Sequence, residues 1–212
     1  LAFILLPKYS MIAFSSLIEP IRLANRESGA ELFEWSCYSL NGEAVEASNH
    51  VVTQVDGAVR DLGDAALTLV CSGLDIERIE PGPGLGKRLR YLVAHGRTIG
   101  AVCTGAYVLA KYGLLDGFRC TIHWENIPSF REEFPAIDVT SDIYEIDRTR
   151  WTCAGGTAAL DMMLRFIAEQ GGVALARKVA EVSLHQEIRA GKNAQRHDLR
   201  YRLGTANDKL IE

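Results

Sequence analysis

The chain has 212 residues, of which 48% are hydrophobic and 24% charged, a composition typical of a globular protein that can bury a sizeable core. Its formal net charge of −4 argues against a dominant phosphate-binding surface, so we do not expect this chain to bind nucleic acid by itself. The five cysteines form no CxxC pair and no metal-ligand spacing, which predicts no metal site and indicates free thiols in the reducing cytoplasm.

The first predicted elements are a short apolar strand and a long amphipathic helix. Residues 2–6 are uniformly apolar and end at Pro7, as expected of a parallel strand that is buried on both faces. This run is far shorter than the ~20 apolar residues of a transmembrane helix and has no basic segment before it, so we predict neither a membrane span nor a signal peptide. Apolar residues then recur at helical spacing over residues 11–25, where Pro20 predicts a kink or a break.

Strands and helices alternate along the rest of the chain. In chain order we predict strands at 33–40, 51–55 and 67–71, a helix at 85–95, a strand at 98–102, a helix at 104–112, strands at 120–122, 138–140, 143–146 and 151–153, and helices at 158–169 and 173–184. The alternation and the apolar strands together predict an α/β fold with a doubly wound, mostly parallel sheet flanked by helices.

The C-terminal end differs from the rest in composition. After residue 186 the apolar content falls, and basic side chains dominate the charge: Arg189, Lys192, Arg196, Arg200 and Arg202. A segment this polar is not expected to form part of a core. We therefore divide the chain into a domain over residues 1–186 and a basic linker over residues 187–212.

A strand that ends in a thiol carries the strongest functional signal. Cys103 directly follows the predicted strand at 98–102, and small residues surround it in the sequence GAVCTGA. This pattern predicts a nucleophile elbow, with Cys103 and Thr104 at the carboxyl edge of the sheet, where open α/β sheets bind ligands. The N-terminus of the following helix would favour a thiolate. The alternative is a small core residue, since most free cysteines serve only packing.

Two neighbouring residues extend this candidate site. His123 ends the predicted strand at 120–122, and the sheet order could bring it beside Cys103, giving a pair that can activate a nucleophile. The alternative is a histidine with a purely structural hydrogen bond. Trp124 could be a core residue, or it could form an aromatic wall for a cationic ligand.

Four further residues are candidates on weaker grounds. Ser72 and Gly73 follow the strand at 67–71, where their amides could form an oxyanion-hole-like cradle. Thr157 follows a strand and two glycines, so it either borders the pocket or caps a helix. Glu19 is either a ligand contact or a solvated carboxylate on the first helix.

Four motifs in series resemble a known family. They are SLIEPIRLAN, AVCTGAYVLAKYGLLDG, TIHWEN and TCAGGTAALDMML, and the resemblance covers residues 2 to about 188. The chain resembles the class I glutamine amidotransferase-like sensor domain of AraC-family transcriptional regulators. The resemblance implies a flavodoxin-like fold, a small-molecule effector, no cofactor and a homodimer. It also implies that DNA is bound only through a C-terminal helix-turn-helix domain, which is absent from this chain.

The resemblance also assigns roles to individual residues. The nucleophile of the enzymes in this superfamily matches Cys103, and their histidine matches His123. Their early acidic residue has no counterpart, because Ala13 stands about where it belongs and Glu19 lies one to two turns further on. A Cys–His pair without its acid lacks the orientation and the pKa control that catalysis needs. We therefore expect Cys103 to be a vestigial nucleophile in a domain without turnover.

Three functions remain in competition. The first is a sensor domain that binds a small polar metabolite, with a quaternary amine and an amino acid as candidate effector classes. The second is a cysteine-dependent amidase, peptidase or glyoxalase-like enzyme of the same superfamily. The third is a dimerisation module with no pocket above Cys103.

Overall fold

The structure is a computed structural model that describes residues 1–196. In this range the strands are β1 (Ala2–Leu5), β2 (Ser36–Ser39), β3 (Val45–Glu46), β4 (Val52–Thr53), β5 (Gly57–Ala58), β6 (Leu67–Cys71), β7 (Thr98–Val102), β8 (Arg119–Thr121), β9 (Asp138–Thr140), β10 (Tyr144–Asp147) and β11 (Arg150–Cys153). The helices are α1 (Met11–Ser28), α2 (Gly82–Ala94), α3 (Ala106–Lys111), α4 (Ile127–Glu133), α5 (Ala158–Gly171) and α6 (Val173–Val182). Short 3-10 turns lie at Val59–Asp61, Ile76–Arg78 and Trp124–Asn126.

Seven strands form the central sheet, in the order β10-β11-β7-β6-β1-β2-β5. Every pairing is parallel except that of β10 with β11. Two small sheets, β3-β4 and β8-β9, lie beside it. The predicted α/β fold with a mostly parallel sheet is confirmed.

Helices cover both faces of the sheet, which explains why the strands are uniformly apolar. Phe3 and Leu5 pack into one core cluster with residues of α1, α5 and α6. Ile4, the residue between them, packs into a second cluster with residues of α2, α3 and α4. Successive side chains of a strand point to opposite faces, so both sets must be apolar when both faces are covered.

The structure differs from the sequence-based assignment at two helices: the break considered at Pro20 does not occur, and one helix was missed. Helix α1 runs through Pro20 without a break. Pro20 is buried, and packing of α1 against α5 and α6 offsets the backbone hydrogen bond that proline removes. Helix α4 was not predicted, although Pro128 stands in its first turn, a position that proline favours.

Part of the segment assigned from sequence to the linker lies against the domain. Asp161 in α5 is fully buried, and it accepts hydrogen bonds from His185 Nε2 at 2.7 Å and from Arg189 Nε at 2.9 Å. The Arg189 amide donates to the same carboxylate at 2.8 Å. The rest of the predicted linker, residues 197–212, lies outside the described residues, and the boundary at residue 186 stays a prediction. Within residues 1–196, no helix combines the length and hydrophobicity that crossing a bilayer requires.

Candidate functional site

A strained turn connects β7 to α3. Cys103 lies in the left-handed region with φ of 59°, a conformation that costs an L-residue about 1–2 kcal/mol. Its amide donates to the carbonyl of Cys153 at 2.9 Å, and its carbonyl accepts from the amide of His123 at 3.2 Å. The neighbouring segments therefore hold this conformation in place. We refer to residues 102–105 as the Cys103 turn.

Glycines on both sides let other segments approach the Cys103 turn closely. A Cβ atom on Gly105 would lie 2.5 Å from the carbonyl oxygen of Val70 in β6. A Cβ atom on Gly155 would lie 2.9 Å from Cβ of Cys103, and Gly155 has φ of 95°. Sequence reasoning missed Gly155 as a neighbour of the thiol, although the Gly-Gly pair after β11 signals a close backbone approach.

The Cys103 thiol is half-buried and protonated at neutral pH. Burial raises its pKa to about 11; the amide of Thr104 acts in the opposite direction, and the carboxylate of Glu125 raises the pKa further. At pH 7 a thiol with this pKa is a thiolate in only about one molecule in ten thousand. The pKa is thus raised on balance, although the amide of Thr104 before α3 favours the thiolate. Helix α3 has only six residues, and the desolvation of the thiol outweighs the effect of the helix N-terminus on the pKa.

The pH dependence of Cys103 alkylation follows from this pKa. We expect the rate with iodoacetamide to rise about tenfold per pH unit between pH 7 and pH 9, because the thiolate is the reactive species. The measurement is mass spectrometry of the Cys103 peptide after timed reaction. The buried thiols of Cys71, Cys120 and Cys153 serve as internal references. A rate that levels off below pH 8 would contradict the raised pKa.

His123 is the second ionisable group beside the Cys103 turn. Burial lowers the pKa of its imidazole, and the nearby carboxylate of Glu125 acts against this shift. Nδ1 of His123 lies 3.6 Å from Oε2 of Glu125, which is longer than a hydrogen bond. Sequence reasoning missed Glu125, although it stands within the quoted motif TIHWEN. The site therefore holds a neutral thiol and an imidazole whose protonated form is disfavoured.

Hydrogen bonds join the Cys103 turn to the end of β6. The hydroxyl of Thr104 donates to the carbonyl of Gly73 at 2.7 Å and lies 3.1 Å from Oγ of Ser72. The carbonyl of Ser72 accepts from the amide of Ser10 at 3.1 Å. Gly73 is tightly enclosed, because a Cβ atom there would lie 2.3 Å from the carbonyl oxygen of Lys8. The structure thus brings Ser72, Gly73 and Thr104 together, and the oxyanion-hole role of the amides stays a prediction.

Trp124 forms a partly exposed aromatic surface next to His123. The two ring centroids are 5.7 Å apart. The guanidinium carbon of Arg196 lies 4.1 Å from the centroid of the Trp124 ring. A cation over an aromatic ring at this distance is a cation–π contact. A cation of this chain thus occupies the ring face.

The contacts of two predicted site residues lie away from the thiol. Thr157 stands at the N-terminus of α5, and its hydroxyl accepts a hydrogen bond from Arg189 at 2.9 Å. Glu19 lies on the exposed face of α1, where it pairs with Arg22 at 2.6 Å. A ligand-binding role for Thr157 and Glu19 stays a prediction.

A large groove lies elsewhere on the surface. It measures about 1230 Å³ and is lined by β10, α5, α6 and residues 184–192, with none of the predicted site residues among them. We place the candidate site at the Cys103 turn instead, because a strained backbone, a half-buried thiol and an imidazole meet there, whereas volume alone indicates no chemistry. No group of three or more metal-ligating side chains converges anywhere in residues 1–196.

Comparisons with known proteins identify relatives over most of the chain. The sequence profile of the DJ-1/PfpI family matches residues 4–169. The chain is 37% identical over its full length to the HTH-type transcriptional regulator GbdR of Pseudomonas aeruginosa, covering 58% of that protein. It is 42% identical over 99% of its length to the HTH-type transcriptional regulator CdhR of the same species, covering 62% of it. The chain therefore spans less than two thirds of these relatives.

A solved structure shares both the fold and part of the sequence. The crystal structure of an AraC family transcriptional regulator from Pseudomonas putida superposes with a TM-score of 0.78 at 30% identity, covering 86% of this chain and 97% of that one. The resemblance to domains of AraC-family regulators is thereby confirmed. The profile match and these relatives show that the chain belongs to the DJ-1/PfpI family.

Proposed function

We propose that this chain is the ligand-sensing domain of an AraC-family transcriptional regulator and binds a small polar metabolite without turnover. Effector binding occurs at the Cys103 turn, beside His123 and Trp124. The relatives GbdR, CdhR and the Pseudomonas putida protein are transcriptional regulators by name, which supports the regulatory role. The effector classes we propose are a quaternary amine and an amino acid.

The burial of the Cys103 thiol is the observation that supports the absence of turnover. A cysteine nucleophile needs a lowered pKa or a base that takes its proton, and burial instead raises the pKa of this thiol to about 11. The first turn of α1 contains no acidic residue, and buried Ala13 stands where the resemblance places the acid. The carboxylate of Glu125 further disfavours the thiolate. A neutral pair of this kind suits binding better than nucleophilic attack.

The surroundings of the thiol suit a small polar ligand. The half-buried thiol of Cys103 and the half-buried imidazole of His123 offer polar atoms, and Trp124 offers a partly exposed aromatic face. Arg196 already rests on that face, so the ring accepts a cation in this geometry. This contact favours an effector that carries a cationic group.

A thermal-shift screen of the 212-residue chain tests this proposal. Betaines, choline, carnitine and arginine are to be compared on the wild type and on Cys103→Ala. At 100 times its Kd a ligand that binds only the folded state should raise the Tm by about 5–10 °C for a chain of this size. We expect one compound to stabilise both proteins and to be recovered unchanged. Stabilisation that requires Cys103, together with consumption of the compound, would replace the sensor with an enzyme.

A cysteine-dependent hydrolase or hydratase is the second candidate function. The left-handed conformation of Cys103 and the hydrogen bond from the amide of His123 to its carbonyl favour it, since strained turns of this kind present nucleophiles. On this alternative, ligand binding would have to lower the pKa of the thiol by several units. The alkylation profile of Cys103 measured with and without the compound from the screen distinguishes the two functions.

The proposal includes three properties of the whole regulator. It functions in the cytoplasm, it forms a homodimer, and it contacts DNA through a helix-turn-helix domain outside this chain. The net charge of −4 supports the last point, because an acidic surface disfavours phosphate contacts. Sedimentation velocity of the 212-residue chain measures whether this domain alone carries the dimer contact.

A further inference from the structure

The segment that precedes Arg196 is fastened to the strands beside the candidate site. We refer to residues 190–196 as the C-terminal strap. The amide of Ile143 donates to the carbonyl of Asn193 at 2.9 Å and to that of Gly191 at 3.0 Å. Residue Ala194 forms an antiparallel bridge with Asp142. The strap therefore lies along the chain between β9 and β10.

Gln195 is the strongest contact of the strap with the site. Its Nε2 lies 3.0 Å from the carbonyl oxygens of Ile122 and Asp142 and 3.0 Å from Oγ1 of Thr121. Ile122 directly precedes His123, whose amide donates to the carbonyl of Cys103. Oε1 of Gln195 is buried without a hydrogen-bond partner among the described residues. The strap is thus docked on the end of β8, just before His123, and its docking leaves one polar group unsatisfied.

Arg196 extends from this anchor over Trp124. Its guanidinium lies 4.1 Å from the ring centroid, and it forms no ion pair with a carboxylate within residues 1–196. A cavity of about 260 Å³ lies between the strap and the ring, lined by Trp124, Ile127, Pro128, Ser141, Ala194, Gln195 and Arg196. This volume is slightly below the usual range of small-molecule sites, about 300–1000 Å³. Moving Arg196 would enlarge the cavity and free the ring.

We propose that Arg196 is an intramolecular competitor for a cationic group at Trp124, so that binding of such a group releases the end of the C-terminal strap, Gln195 and Arg196. This inference rests on the proposed function and adds how occupancy of the site is reported. Two cations cannot occupy one ring face, because each needs the same position and they repel each other. A cationic ligand therefore binds better to the released state than to the docked state, which is the differential affinity that a switch requires.

The position of the strap in the chain makes this competition a signal. Arg196 is joined to residues 197–212, which the resemblance assigns to the lead-in to a DNA-binding domain. Release of Arg196 and Gln195 leaves the rest of the strap held through Ala194 and Asn193, and behind it the buried carboxylate of Asp161 holds Arg189. The occupied and empty domains thus differ in where the contact of the C-terminal strap with the domain ends.

The test uses nuclear magnetic resonance of the 212-residue chain labelled with ¹⁵N-tryptophan. The chain has three tryptophans, and Trp124→Phe assigns the indole resonance of Trp124. The probe is tetramethylammonium chloride, with sodium chloride to match ionic strength and tert-butanol as the neutral comparison. The variants are Arg196→Gln and, as a matched control that removes one exposed positive charge from α6, Arg177→Gln.

We expect Arg196→Gln to move the Trp124 indole resonance without any probe, and Arg177→Gln to leave it in place. We also expect Arg196→Gln to lower the apparent Kd for tetramethylammonium about two- to fivefold, the factor that an exposed cation–π contact supplies. In the wild type labelled uniformly with ¹⁵N, saturating tetramethylammonium should speed hydrogen exchange at the amide of Gln195, which donates to the carbonyl of Ser141. Tert-butanol should produce neither effect.

Three results would overturn the inference. The first is that Arg196→Gln leaves both the indole resonance and the Kd unchanged. The second is that the amide of Gln195 stays protected from hydrogen exchange when tetramethylammonium is bound. The third is that tetramethylammonium binds to none of the variants. Each of these leaves the proposed function standing if the thermal-shift screen finds an effector that is recovered unchanged. Failure of that screen, with Arg196→Gln still moving the indole resonance, would count against the sensor function alone.

Discussion

Replacing Gly100 by alanine should destabilise the domain by about 3 kcal/mol or more, at the upper end of what overpacking a core costs. Gly100 lies in β7 at the centre of the sheet, paired with Leu69 of β6 and Trp151 of β11. A Cβ atom there would lie 2.1 Å from the carbonyl oxygen of Trp151 and 2.7 Å from Cδ2 of Leu69. The leucine side chain can move, whereas the backbone of β11 can move only by disturbing its pairing with β7. Urea unfolding followed by circular dichroism measures the loss.

Gly84→Ala is the matched control for Gly100→Ala. Gly84 lies in α2, and a Cβ atom there would meet nothing within 4 Å. We expect this change to stabilise the domain by about 0.5–1 kcal/mol, because alanine favours a helix over glycine by that amount. A loss below 1 kcal/mol for Gly100→Ala would mean that β11 shifts freely. The close contact between β7 and β11 at Gly100 would then not hold the Cys103 turn in position.

Removing the guanidinium of Arg189 is the second change with a large expected effect. We expect Arg189→Ala to cost about 2–3 kcal/mol, because Asp161 is fully buried and would keep only His185 and the backbone amide of residue 189 as partners. Arg189 also donates to Thr157 at the start of α5, so that contact is lost as well. The measurement is urea unfolding combined with limited proteolysis of the segment after α6.

Arg165→Ala provides the comparison for a charge pair on the surface. Arg165 pairs with Glu169 at 2.8 Å, and both side chains are well exposed. Exposed pairs four residues apart in a helix contribute about 0.3–0.5 kcal/mol. We expect Arg165→Ala to lose no more than this and to leave proteolysis unchanged. Equal losses for Arg165→Ala and Arg189→Ala would mean that the Asp161 contact does not hold the C-terminal segment on the domain.

The elements that sequence predicted best are the ones buried on both faces of the sheet. Strands β6 and β7 have the predicted bounds. A parallel strand that helices cover on both faces forms a short run of apolar residues, because its side chains are buried on either face. The sequences of β6 and β7 show this pattern directly. Helix α4 was missed because its seven residues, IPSFREE, are too few to display a helical period.

The sequence by itself determined the order of strands and helices, and with it the placement of Cys103, Thr104, Ser72 and Gly73 at one edge of the sheet, because carboxyl ends of parallel strands meet there. Tertiary structure alone decided the ionisation of Cys103. Burial is set by everything packed around the thiol, and it outweighs the short helix that follows. Tertiary structure also decided the contacts of Asp161 with Arg189 and of Trp124 with Arg196. These residues lie far apart in the chain, and no periodicity or local motif encodes distances that only the packed fold creates.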